Sequence, residues 1–117
     1  MLTRTDFLDG NKRLSLVCKV PMPEWGDHVY VRRIPADELP AVNRIVEKAQ
    51  SGKEDDVSLA AWWCVMGICD AKGKRLFKDS DHAKMMKRPL VAVTRCAMAF
   101  GDFNHLTDDA DGKRKKN

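Results

Sequence analysis

Residues 20–34 read Val20-Pro21-Met22-Pro23-Glu24-Trp25-Gly26-Asp27-His28-Val29-Tyr30-Val31-Arg32-Arg33-Ile34, and the fold follows from how this stretch is read. It divides into a strand end, a proline-rich corner carrying a tryptophan, a turn at Gly26-Asp27, and a second strand. Upstream, Leu14, Leu16, Cys18 and Val20 alternate with Ser15, Val17 and Lys19, the period-two pattern of a strand with one buried face. Pro21 and Pro23 are expected to end that strand, because proline cannot donate to a ladder. Gly26-Asp27 supplies turn chemistry. Val29 and Val31 then alternate with Tyr30 and Arg32 up to Pro35. A two-stranded unit is marginal alone and must pack on something. Trp25, with Val29 and Val31, is the expected clamp to the rest of the chain.

Downstream the pattern is helical. Pro35-Ala36-Asp37-Glu38 reads as a helix start with acidic residues at its positive end. Leu39, Val42, Ile45, Val46 and Ala49 then form one stripe, ending by Ser51-Gly52. Pro40 is compatible only with the first turn. Glu54-Asp55-Asp56 opens a second helix that is apolar almost all round from Val57 to Cys69, as expected of a central buried helix or one covered by another chain. Adjacent Trp62 and Trp63 lie about 100° apart on it and must face different neighbours. Asp79-Ser80-Asp81 offers N-caps for a short helix over 82–88 carrying Met85 and Met86. Leu90, Val93, Thr94, Ala97, Met98 and Phe100 form a last amphipathic helix ending near Gly101. The fold class expected is therefore α+β, predominantly α, with an N-terminal two-stranded antiparallel unit packed on about four helices. Residues 1–13 are expected to be a flexible arm anchored at most by Phe7 and Leu8, 14–105 a single domain, and 106–117 a disordered polar and basic tail.

Composition narrows the function classes. A chain of 117 residues, 44% hydrophobic and 32% charged, is long enough for one core. Residues 36–70 hold three basic and seven acidic groups, and residues 71–88 hold seven basic and two acidic. Such asymmetry arises from solvated helix faces or from a partner surface. The first ten residues contain no apolar run, and the longest apolar run, 57–69, is shorter than the roughly 20 residues a membrane span requires. A soluble intracellular protein with no membrane partner is expected. Cys18, Cys64, Cys69 and Cys96 each lie within an apolar pattern and form no C-x-x-C pair, so they read as reduced, buried thiols.

His28, His82 and His105 are scattered and none pairs with a cysteine at ligand spacing, so no metal site is read. Asp109-Ala110-Asp111-Gly112 looks like part of a calcium loop, but Thr107 stands where an acid is needed. No phosphate-binding glycine loop and no nucleophile–base pattern is present. The chain reads as a non-enzyme without a cofactor. Nucleic-acid binding through Lys72–Arg88 and the basic tail is disfavoured by Asp79 and Asp81 within the basic stretch and by the lack of an aromatic platform.

Val20-Pro21…Pro23-Glu24-Trp25-Gly26…Val29-Tyr30-Val31-Arg32, followed by an acidic helix, resembles the N-terminal signature of tail assembly chaperones of long-tailed bacteriophages and prophages. Further on, Asp70…Gly73…Leu76-Phe77…Asp79…Asp81 is similar to that family's D-x-x-G-x-x-L-F-x-D-x-D pattern. The likeness covers roughly residues 14–105. It implies a non-enzymatic protein of the host bacterial cytoplasm that coats the helical tape-measure protein and brings tail-tube subunits to it, leaving before the tail is complete. It also implies a longer form made by ribosomal frameshifting, with which adenine-rich codons at Lys115-Lys116 would be compatible. On this reading Trp62, Trp63, Met85, Met86 and Met98 are the candidate partner contacts, methionine for adaptability and tryptophan as anchor. Ordinary core packing is the competing role for each. The acidic and basic regions are expected to meet head-to-tail between copies. The alternatives are a small phage nucleic-acid-binding regulator and a structural virion subunit.

Overall fold

A computed structural model describes residues 1, 3–9, 15–52 and 55–106. Helix α1 (Arg4–Asp9) is followed by strands β1 (Val17–Met22) and β2 (Asp27–Arg32), helices α2 (Leu39–Gln50) and α3 (Asp56–Gly67), strand β3 (Ile68–Cys69), and helices α4 (His82–Met85) and α5 (Leu90–Phe103). The fold is α+β and mostly helical: a small antiparallel sheet near the N-terminus packs on the helices.

The sheet has three strands in the order β1-β2-β3, one more than the sequence pattern suggested. Val17 to Met22 pair with Arg32 to Asp27, and Tyr30 and Val31 pair with Cys69 and Ile68. The third strand exists because α3 stops at Gly67 and Ile68 turns extended, although the apolar run continues to Cys69. The carbonyls left at this helix end are met by two guanidiniums. Arg32 Nε donates to the Met66 carbonyl at 2.8 Å and Arg75 Nη2 to the Val65 carbonyl at 3.1 Å, which satisfies groups that have no partner within the helix. The chain then closes a tight hairpin. Asp70 N–H donates to Lys74 O, Leu76 N–H donates to Ile68 O, and Asp70 Oδ1 accepts from the amides of Lys72 and Lys74. Gly73 takes φ 89° in this turn, a conformation that favours glycine.

The strand reading is corrected in three respects. β1 begins at Val17, and Leu16 is exposed; Leu14 lies outside the described residues. Pro21 does not end the strand but lies within it, opposite His28. β1 is an edge strand, where a missing N–H leaves no ladder bond broken. The buried side chains of β1 are Val20 and Met22. Within the expected N-terminal arm, 4–9 is helical with Phe7 and Leu8 exposed rather than anchoring; 10–13 lies outside the described residues, as does the tail from 107.

The helices follow the capping chemistry. A 3₁₀ turn at Ala36–Glu38 leads into α2, with Pro40 in its first turn. Asp55 caps α3, its carboxylate accepting from Ser58 N–H at 2.8 Å. α3 is the central element. Ala61, Trp63, Cys64, Val65 and Met66 are buried along it, against Val93, Cys96, Ala97 and Phe100 of α5, Val42 of α2, Met85 of α4 and Val20, Met22 and Val31 of the sheet. α5 is tied to β2 by Asn104. Its side chain donates to the carbonyls of Arg32 and Phe100 and accepts from Ile34 N–H at 2.7 Å.

Candidate functional site

The proline-rich corner builds one wall of an open apolar groove. Pro23–Trp25 form a 3₁₀ turn closed by Gly26 N–H to the Pro23 carbonyl, with Gly26 at φ 66°. Glu24 turns toward α5 and makes a two-pronged ion pair with Arg95, one contact of which is 2.8 Å. The hydrogen bond from Arg95 lowers the Glu24 carboxyl to about 2. This pair, with Met22 buried behind it, holds the corner against α5. Trp25 does not act as the clamp expected of it: it is 52% exposed, on the groove wall. Val31 is fully buried and Val29 packs against the core, so these two do fasten the sheet.

The groove has a volume of about 560 Å³. Met22, Trp25 and Val29 come from the sheet side, Phe77 and Met85 from the segment leading into and through α4, and Pro89, Ala92 and Val93 from the start of α5, with Cys64 of α3 also lining it. His28, Asp81, Lys84 and Arg88 supply its polar groups. The lining is thus mainly apolar with two cations among its polar groups. Its size falls within the roughly 300–1,000 Å³ typical of small-molecule pockets.

The motif residues after α3 position this groove. Asp70 and Gly73 make the hairpin that returns the chain. Asp79 pairs with Arg75 at 3.0 Å, and Asp81 accepts from Lys78 N–H at 2.9 Å ahead of α4. The backbone amide of Lys74, chiefly, holds the Asp70 carboxyl below the usual carboxylate range.

The five candidate partner contacts are not brought together. Met85 is buried and lines the groove. Trp63 is 9% exposed and packs on Phe100 with ring centroids 5.6 Å apart, so it serves the core. Trp62 is half-buried and stacks on His82 at 4.2 Å, while the His82 ring lies 3.0 Å from the Ser58 carbonyl. Trp62 borders a separate depression of about 320 Å³ beside α2, shared with Glu38, Arg44 and Arg75. Met86 and Met98 are exposed, and neither lines the groove. Phe77, Lys84, Arg88 and Pro89 also line the groove, although the sequence reading did not name them as partner contacts. Alternation and helical stripes do not reveal residues whose neighbourhood is made by a loop. Phe77 and Asp81 were nevertheless within a quoted motif.

Among the described residues no group of three or more His, Cys, Asp or Glu side chains is placed to hold a metal ion, and no helix is long and apolar enough to cross a membrane. Compared with protein-family models, with curated proteins and with solved structures, the chain matches none of them.

Proposed function

We propose that this chain is a tail assembly chaperone of a long-tailed phage or prophage, acting in the host bacterial cytoplasm by reversible binding and not by bond-making chemistry. The observation that carries the reading is the open apolar groove. Its lining includes Trp25 of the Pro-Glu-Trp-Gly corner and Phe77 and Asp81 of the second motif, residues on which the resemblance rests. A long helical client such as a tape-measure protein presents apolar faces at helical spacing. A helix laid into a groove is a recurrent recognition mode in which apolar burial supplies affinity. Trp25 then acts as anchor and Met85 as an adaptable floor. Lys84 and Arg88 speed encounter with acidic segments and make binding weaker in high salt. Tail-tube recruitment belongs to a longer, frameshifted product.

Co-expression tests this. A tape-measure protein co-expressed with the wild-type chain should stay in the supernatant and should precipitate without it, and the chain should be absent from finished virions. Equal solubility with and without the chain would sink the proposal. Retention in purified virions would favour a structural subunit. The nucleic-acid alternative is opposed by the mainly apolar groove lining, since phosphate backbones are bound by arrays of cations. A gel shift with nonspecific DNA at physiological salt would revive it.

A further inference from the structure

We propose that, until a client occupies it, the same groove receives helix α1 of a second copy of this chain, so that copies join arm to groove and an incoming client helix displaces the arm. The inference rests on reading the groove as a seat for an apolar helix face, and is independent of the client's identity.

Two features are complementary. α1 carries its own reciprocal cap: Thr3 N–H donates to Asp6 Oδ2 at 3.0 Å, and Asp6 N–H donates to Thr3 Oγ1 at 3.2 Å. Its two large apolar side chains are unburied, Phe7 at 79% and Leu8 at 63% exposure. A six-residue helix is marginal on its own propensity, and a surface that covers Phe7 and Leu8 would stabilise it. The groove offers an apolar lining of Trp25, Val29, Phe77 and Ala92. The charges match as well, with Arg4 and Asp6 on the helix against Asp81, Lys84 and Arg88 at the groove.

The arm joins the body at the end of α5 away from the groove. The Ser15 carbonyl, where the arm joins the body, accepts from Arg33 Nε at 3.0 Å, and Arg33 also donates to the Phe103 carbonyl at the C-terminal end of α5. The groove is lined by Pro89, Ala92 and Val93 at the other end of that helix. Fourteen helical residues separate the ends by about 20 Å. The six Cα steps from Asp9 to Ser15 reach about 20 Å only when fully extended. Seating α1 in its own groove would consume that whole reach, whereas a neighbour's groove imposes no such demand. An arm at one end and a groove at the other make a heterologous contact, which extends into an open chain of copies.

The test is sedimentation velocity on the full chain across a concentration series, with two variants at exposed positions. Phe7→Ser with Leu8→Ser disables the arm, and Lys84→Glu with Arg88→Glu disables the groove; circular dichroism verifies that each folds. The wild type is expected to gain mass continuously past two copies. Each variant alone should stay monomeric. An equal mixture should give a species of two copies and no more, because one intact arm meets one intact groove. A wild type monomeric throughout, an arm variant that assembles like the wild type, or a mixture that fails to pair would each overturn the proposal. The tape-measure solubility assay separates the two readings. If the wild type does not join copies but keeps the client soluble, only arm docking falls; if it joins copies but the client precipitates, only the client reading falls.

Discussion

Gly67 and Phe100 compete for one volume: a Cβ placed on Gly67 would lie 2.2 Å from Phe100 Cδ1. The ring cannot retreat, because Phe100 is fully buried where α3 and α5 cross and Trp63 packs on it. Gly67→Ala should therefore destabilise the domain even though alanine favours helix by about 1 kcal/mol. Overpacking of this kind costs about 1–3 kcal/mol, so the net loss should be about 1 kcal/mol, roughly 4 °C in a domain of this size. Thermal denaturation followed by circular dichroism measures it. The Gly67→Ala/Phe100→Leu double variant should lose less in total than the two single losses added together; strict additivity would mean the two positions do not compete.

Asn104 makes the join between α5 and the sheet, through Arg32, Ile34 and Phe100. Asn104→Ala leaves the Ile34 amide and the Arg32 carbonyl without their partner, at a cost of about 1–3 kcal/mol. Amide hydrogen exchange provides a local readout. Exchange at Ile34 should accelerate by more than exchange at core amides of α3. Uniform acceleration would mean that Asn104 acts only on global stability.

Acid should weaken two ion pairs. Arg32 is buried and donates to both oxygens of Glu38, at 2.7 and 3.1 Å, and the hydrogen bond from Arg32 lowers the Glu38 carboxyl. Glu24 is lowered to about 2 by its hydrogen bond from Arg95. A depressed carboxylate means the unfolded chain binds more protons, so stability rises with pH in that window. The contribution is complete above the ordinary value of 4.5 and is lost as pH falls from there toward 2. Melting temperatures should fall through this range, and the slope should flatten in Glu38→Gln and in Glu24→Gln. An unchanged slope in both variants would show that other groups govern the acid limb.

Trp25 separates stability from binding. It is half-exposed, so Trp25→Ala should change stability by under about 1 kcal/mol. As an anchor in the groove its loss should weaken client binding at least tenfold, or about 1.4 kcal/mol. A melting curve and a titration with a helical tape-measure peptide decide this. A large drop in melting temperature would return Trp25 to the clamp role its neighbours suggested.

The fold was legible where local chemistry and global packing agree. Pro35 and Pro40, the Asp55 cap and the all-round apolar α3 led to the observed helices, and Val29 and Val31 to the strand that fastens the sheet. The end of α3 was hidden, because Ile68-Cys69 is as apolar as the helix before it. A buried helix and a buried strand share that pattern, and only the arrival of Arg32 and Arg75 at the helix carbonyls separates them. Arg32 itself was misread as an outward residue by alternation; its burial depends on Glu38 and the Met66 carbonyl, which no period reveals. Trp25 was misplaced for a related reason. Its size argues for burial, but which wall it joins is set by the distant contact between Glu24 and Arg95. The groove was legible only through its motif residues, since its cations and Pro89 converge through loop geometry.

The four thiols provide a graded clock for opening. Cys18 is half-buried, whereas Cys64, Cys69 and Cys96 are buried. The Cys64 thiol donates to the Val93 carbonyl at 3.2 Å, and its hydrogen bond with Cys96, together with burial, raises it well above the ordinary thiol range. Because the thiolate is the reactive form, an alkylating reagent should mark Cys18 in the folded chain and reach Cys64 only when α3 and α5 part. The order in which the cysteines are labelled would therefore time the separation of the helices from the sheet, with no foreign probe in the core.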